Sequence, residues 1–346
     1  MSTSHPTLVK APPVDESKAP IENALELTEL SIIGPDLFTN TRELWHPPGA
    51  RGLYGGCIIA QTLAAAQRTV PPNFTVHSYH CFFVLAGDSS VPILYHVERV
   101  REGRSFCTRT VQARQRGHAI FTVTCSFTRD VSDADHKTVS HAAPMPKGVP
   151  APPDGYEEPT LVGAQKSPFE HFRCARDDLA EPPERRKIWQ WVRARGRISD
   201  EGGLQAHLSA LAYMSDSYFI GTVSRIHRLW RLPFRPEEME HLDPEIRAHL
   251  VKLNDVDEGA GGLEAMRDRP KVGMMVSLDH SIYFHNPKKV RADEWMFTEM
   301  ESPWAGDGRG VVMQRIFSRD GTLLATAIQE GVVRLKQDKK EQAPKL

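Results

Sequence analysis

Two stretches decide the fold: Val276-Ser-Leu-Asp-His-Ser-Ile-Tyr-Phe-His285 and Ala325-Thr-Ala-Ile-Gln-Glu-Gly-Val-Val-Arg334. Both read as strands. A half-buried strand alternates apolar and polar residues, with the polar ones facing water. Ser277 and Gln329 break that rule, because apolar neighbours flank them on both sides or nearly so. They read as polar groups aimed into an interior, where an unpaired polar group is costly.

Working outward, the same pattern occurs earlier in the chain. Cys57 to Thr69 is Ala-rich, free of Pro and Gly, and apolar on nearly all sides, as a buried helix is. Gly55 and Gly56 precede it. They permit close backbone approach, and free amides at a helix start favour an oxyanion. Four strand-like runs follow: Thr75 to Leu85, Ile93 to Arg101, Ser105 to Arg114 and Ala119 to Thr128. Gly-containing turns at 101–104 and 115–118 join them as hairpins. A second apolar helix is expected from Leu204 to about Ile220, after a strand at Lys187 to Arg197. One buried helix followed by antiparallel strands, twice over, is an α+β duplication. Laying His80 on His280 sets Gly117 opposite Gly321 and Cys125 opposite Gln329.

The expected division is a flexible leader at 1–22, a first unit at 23–130, a linker at 131–186, a second unit at 187–337 and a tail at 338–346. A charged segment at 222–270 reads as an insertion packed outside the second core. The chain has 346 residues, with 43 basic against 44 acidic, a balance that gives no electrostatic case for nucleic acid as partner. Its five cysteines are scattered, without a Cys-x-x-Cys pair, as in a reduced intracellular protein. No apolar run reaches the length of a membrane span, and the N-terminus has no apolar signal core.

Leu53-Tyr-Gly-Gly56 before the Ala-rich helix and His77-Ser-Tyr-His80 after it resemble the first half of the acyl-CoA thioesterase II family. Ser277-Leu-Asp-His-Ser-Ile-Tyr-Phe-His285, Glu301-Ser-Pro-Trp-Ala305 and Gln329-Glu-Gly-Val-Val-Arg334 resemble the second half. The pattern of its peroxisomal members in eukaryotes is the nearest. The resemblance runs from about Leu27 to Lys336, broken at 222–270. It implies a double hotdog fold, two antiparallel sheets each wrapped on a central helix. It also implies hydrolysis of fatty acyl-CoA to a fatty acid and coenzyme A.

Carried over motif by motif, the family's acid, hydroxyl and amide fall on Asp216, Ser277 and Gln329. The connection from Ser217 to Val276 is longer than the family's. Asp216 lies among Leu211, Ala212, Phe219 and Ile220, so desolvation should raise its pKa and suit it to base work. Ser277 and Gln329 would position a water for attack on the thioester, and Gly55 and Gly56 would meet the oxyanion. Ser277 lacks the Gly-x-Ser-x-Gly context of a nucleophile, so no covalent intermediate is required. No acid lies between Gly49 and Gly87, so one competent site per chain is expected, in the second half.

As single residues these have structural readings too. Asp216 fits a backbone-bonded acid at a helix bend, and Gln329 a strand amide. His80 and His280 read as core histidines. His280 and His285 lack a carboxylate–histidine helix motif, so no metal and no cofactor are expected. Two other functions stay open. One is a hotdog enoyl-CoA hydratase or dehydratase, which needs an Asp–His pair; His207 lies too far before Asp216. The other is a non-catalytic acyl-CoA-binding protein, favoured if Asp216, Ser277 and Gln329 lie apart. Open sheet edges favour a homodimer. The terminal Pro-Lys-Leu differs at one position from the peroxisomal Ser-Lys-Leu address. A peroxisomal location is therefore expected, with a cytoplasmic one as the alternative.

Overall fold

The chain is seen in a computed structural model, which describes residues 5–46, 52–130, 139–159, 166–175, 177–232, 235–259 and 261–337. Its first half contains α1 (Pro20–Leu25), β1 (Leu27–Glu29), β2 (Leu37–Asn40), α2 (Gly55–Gln67), β3 (Phe74–Phe83), β4 (Leu94–Glu102), β5 (Phe106–Gln115) and β6 (His118–Arg129). Its second half contains β7 (Phe169–Arg173), β8 (Ile188–Ala194), α3 (Gly203–Ser215), α4 (Gly221–Ile226), α5 (Pro244–Glu258), α6 (Gly262–Ala265), β9 (Val272–Ser277), β10 (Asp279–Phe284), β11 (Met296–Gly306), β12 (Arg309–Phe317) and β13 (Leu323–Leu335).

Alternation makes the strands. In β6, Phe121, Val123, Cys125 and Phe127 are buried while Thr124 faces solvent. The β5–β6 hairpin closes through Arg116 and Gly117, both at positive φ (47° and 81°), as a tight two-residue turn demands. All pairings between the strands are antiparallel, and they join one sheet in the order β1-β2-β4-β5-β6-β3-β10-β13-β12-β11-β8-β7, with β9 also on β13. The two halves meet where β3 pairs β10, Tyr79 opposite Ile282.

Each half curls round its helix. Ile58, Ile59 and Leu63 of α2 are buried against its sheet, each stabilising by about 1.5–3 kcal/mol. α2 also packs on α3, whose residues His207 to Ser215 are buried. Gly56 is required where the helices meet: a Cβ there would run into the Tyr213 carbonyl and the Tyr54 ring. The result is the α+β double hotdog that the sequence implies.

Several expected boundaries shift. The stretch read as a flexible leader is docked at its end: Ala19 and Ile21 are core residues, and the Glu22 carboxylate accepts from Ser199 N–H at 3.0 Å. The apolar content there is too sparse to show as a periodic element. The stretch read as linker supplies β7, which pairs β8. The segment 222–270 is not wholly outside the second core: Val223 and Ile226 of α4 belong to the main core, while Trp230, Met239, Leu263 and Met266 form a small core of their own. The tail at 338–346 lies outside the described residues.

The overlay of His80 on His280 fails by one residue. β3 turns Tyr79 and Cys81 inward and His80 outward, whereas β10 turns His280, Ile282 and Phe284 inward. Strand parity makes Tyr79 the inward counterpart of His280. Tyr79 lies opposite Cys125 in the register, so Cys125 keeps its place as the counterpart of Gln329.

Candidate active site

α3 ends at Ser215, earlier than its apolar run suggests, because the next residues find other partners. The Ser215 hydroxyl donates back to the Ala212 carbonyl at 2.9 Å and meets His280 Nε2 at 3.0 Å. The Ser217 hydroxyl meets His171 Nε2 at 2.8 Å. Tyr218 then takes a left-handed φ of 57°. Asp216 is therefore the C-terminal cap of α3, and its carboxylate turns off the helix toward the start of α2.

That carboxylate is half-buried, its oxygens held from two sides. Gln329 Nε2 donates to its Oδ1 at 2.8 Å. A Cβ on Gly55 would lie 2.5 Å from Oδ2, so only glycine leaves the acid its place. Burial pushes its pKa from 3.8 up to about 6, while the Gln329 hydrogen bond and the Gly56 amide hold it down. The helix start expected to face an oxyanion thus faces the acid, and the positive end of α2 stabilises the carboxylate form.

Gln329 reaches Asp216 from β13 and is itself fully buried. Its Nε2 also lies 3.1 Å from His280 Nδ1. Both amide hydrogens are thereby used, and Oε1 is buried without a hydrogen-bond partner among the described residues. A buried acceptor left open in this way costs free energy unless another group, such as water, meets it.

Ser277 stands opposite Gly331 in the register, so it shares a sheet face with Gln329. No hydrogen bond links its hydroxyl to Asp216 or Gln329 among the described residues. Between Ser277↔Gly331 and Ser281↔Ile328 the β9–β10 side takes four steps against three on β13, a bulge. Asp279 holds that bulge, its Oδ1 accepting from Glu330 N–H at 2.7 Å. The bulge brings both Ser277 and His280 to the inner face, which regular alternation forbids.

Sequence reasoning placed Asp216 and Gln329 together, and they touch. It did not find Ser215, Ser217 or His171; of the two histidines read as core residues, His280 is buried as expected and His80 is exposed. The Ser-Asp-Ser bracket round the acid was the available signal. His207 belongs elsewhere: its Nδ1 accepts from Ala292 N–H at 3.0 Å, roughly 13 Å up the helix from Asp216. The Asp–His pair of a hydratase is not formed by these two residues. His285 bonds Thr326 at 2.8 Å on the exposed side. Among the described residues no cluster of His, Cys, Asp and Glu is arranged to hold a metal ion, and no helix is long and apolar enough to cross a membrane.

A desolvated acid and a buried amide meet in a sheet whose two halves each wrap a helix, the double-hotdog arrangement, and are suited to thioester hydrolysis. Comparison with known proteins gives the family. Residues 42–128 match the acyl-CoA thioesterase N-terminal domain and residues 140–333 the C-terminal domain. Human acyl-coenzyme A thioesterase 8 is 36% identical, over 94% of this chain and 92% of its own length. The peroxisomal acyl-coenzyme A thioester hydrolase 1 of Saccharomyces cerevisiae is 25% identical, over 92% and 96%. Among solved structures, the acyl-CoA thioesterase II TesB2 of Mycobacterium marinum superposes with a TM-score of 0.64 at 29% identity, over 93% of this chain and 99% of that one. The chain belongs to the acyl-CoA thioesterase II family, and its reaction is hydrolysis of the acyl-CoA thioester.

Proposed function

We propose that the protein hydrolyses fatty acyl-CoA by direct attack of a water that Asp216 deprotonates, with Gln329 and Ser277 holding that water. The observation that supports this best is the Gln329 amide, donating to Asp216 at 2.8 Å while its buried Oε1 is left open as an acceptor. A water donating one hydrogen to Oε1 and the other to the carboxylate meets both needs. Its oxygen attacks the thioester carbon as the proton passes to Asp216. The tetrahedral oxyanion collapses, the C–S bond breaks, and the Asp216 proton goes to the departing thiolate. The Gly55 amide is the proposed oxyanion donor, since the Gly56 amide is directed at Asp216.

The first half is proposed as a degenerate copy. Cys125 replaces Gln329, and the Tyr79 hydroxyl bonds Thr62 at 2.8 Å where His280 bonds Ser215. A single turnover in ¹⁸O-water tests the direct attack. One labelled oxygen in the released fatty acid, with unlabelled enzyme, supports it; label in the Asp216 carboxylate after one turnover overturns it.

Two finer readings go with this one. A peroxisomal location is supported by the yeast relative, which is peroxisomal by name. Imaging a fluorescent fusion against a peroxisomal marker tests it. A homodimer is supported by the open sheet edges at β1 and β7, and sedimentation analysis tests that.

A further inference from the structure

His280 is a buried group for which the water-attack reading has no use. It comes from β10, faces inward and is fully enclosed. Burial pushes its pKa down to about 3, so it is neutral wherever Asp216 is ionised.

Its hydrogen-bond partners fix which nitrogen carries the proton. The Ser215 hydroxyl spends its hydrogen on the Ala212 carbonyl, 2.9 Å away. Toward His280 Nε2, 3.0 Å away, the hydroxyl can then only accept. The proton therefore sits on Nε2, and Nδ1 is a bare acceptor. Gln329 Nε2 meets it at 3.1 Å with its second N–H. A directed chain results: Gln329 donates to His280, His280 to Ser215, and Ser215 to the Ala212 carbonyl at the end of α3.

We propose that His280 is a positioning residue that locks the Gln329 amide with its carbonyl Oε1 turned toward the attacking water. This rests on the water-attack reading and adds a reason for the histidine. An ionised Asp216 alone would hold the amide nitrogen toward itself. Once Asp216 has taken the water's proton, its carboxyl can donate, and a flipped amide would satisfy it equally well. His280 presents a bare acceptor before and after that transfer, so the amide keeps one orientation through the step. His171 differs: it bonds Ser217 on the far side of the Asp216 turn, and no hydrogen bond joins it to Gln329 among the described residues.

The test uses two replacements that divide the functions of the imidazole. Asn at 280 offers an amide oxygen near the place of Nδ1 and loses the Ser215 bond. Gln at 280 offers a donor near the place of Nε2 and loses the acceptor facing Gln329. Steady-state kinetics on a long-chain acyl-CoA are measured for His280→Asn, His280→Gln, Asp216→Asn and the wild type, with circular dichroism confirming the fold. The expected result is a kcat about 10- to 100-fold below wild type for His280→Gln, with KM unchanged, and substantial recovery in His280→Asn. A His280→Gln enzyme as active as His280→Asn, or more so, overturns the proposal, since a merely structural histidine has no reason to favour Asn. If neither variant folds, Ser215→Ala decides. A severalfold drop in kcat at constant KM supports the proposal, and an unchanged kcat overturns it. Asp216→Asn separates the two levels: if it stays active the water-attack reading fails, whereas its collapse alongside a failed His280 pattern removes only the positioning role.

Discussion

Gln329 Nε2 stands 2.8 Å from Asp216 Oδ1, joining the middle of the last strand to the end of the second central helix. The two residues are far apart in sequence and share no secondary-structure element. The contact fixes the Gln329 donor on the acid and leaves its Oε1 acceptor open, where the proposed attacking water would bind. The chemistry proposed for the enzyme hangs on that geometry.

Replacing Gln329 by Glu sets a second carboxyl where the amide now donates. Two carboxyls in hydrogen-bond contact do not both ionise readily. The pH dependence of kcat/KM should move to higher pH than in wild type, with a lower plateau. Gln329→Ala removes the hydrogen bond that holds the Asp216 pKa down, so its profile should also move up, but by less than that of the Glu variant. Parallel pH–rate profiles of the two variants check this.

Asp216 ties activity and stability to pH with opposite signs. The base works ionised, so kcat/KM should rise with pH through an apparent pKa of about 6 and then level off. Stability runs the other way. The folded pKa lies above the ordinary 3.8, so the protonated acid favours the fold below pH 3.8, and that contribution is lost as pH rises through about 6. The half-buried carboxylate then costs at most about 3 kcal/mol. Asp216→Asn should therefore gain stability relative to wild type between pH 4 and pH 7. Denaturant unfolding of both proteins across that range measures the difference.

Ser277 shares a sheet face with Gln329 but makes no hydrogen bond to it or to Asp216, so its proposed role is confined to the water. Ser277→Ala should lower kcat by about 10-fold, within the range of one hydrogen bond to a reacting group. Ser277→Thr, which keeps the hydroxyl, should retain most of the activity. Thiol-release assays at saturating substrate distinguish the two.

Gly56 is fixed by space rather than by φ. A methyl group there collides with the Tyr213 carbonyl, which is backbone and cannot swing away. Gly56→Ala should lose at least about 1–3 kcal/mol of stability. It should also separate the start of α2 from Asp216. A lowered thermal midpoint together with a shifted pH–rate profile is the expected pair of results.

Much of this was legible in the chain. The alternation of Phe121, Val123, Cys125 and Phe127 gives the strands, and the apolar run from Cys57 gives a buried helix. Asp216, Ser277 and Gln329 emerge from motifs that resemble a known family, and the fold brings the acid and the amide into contact. Other features depend on geometry that no periodicity records. The bulge held by Asp279 changes the face of His280, so an overlay of one histidine on the other misassigned its partner. The end of α3 is set by Ser215 and Ser217 bonding across the core, which an apolar run cannot announce. Ile21 is a core residue in a stretch whose composition reads as a leader, because one or two apolar side chains suffice to dock it.

The most direct measurement is free-thiol release from a panel of acyl-CoAs, short to long, by the wild type and by Asp216→Asn. The wild type should turn over, and the variant should fall by about 10²- to 10⁴-fold in kcat with its fold intact. Near-wild-type turnover by a folded Asp216→Asn enzyme would contradict the assignment of Asp216 as the base and place the reacting acid elsewhere.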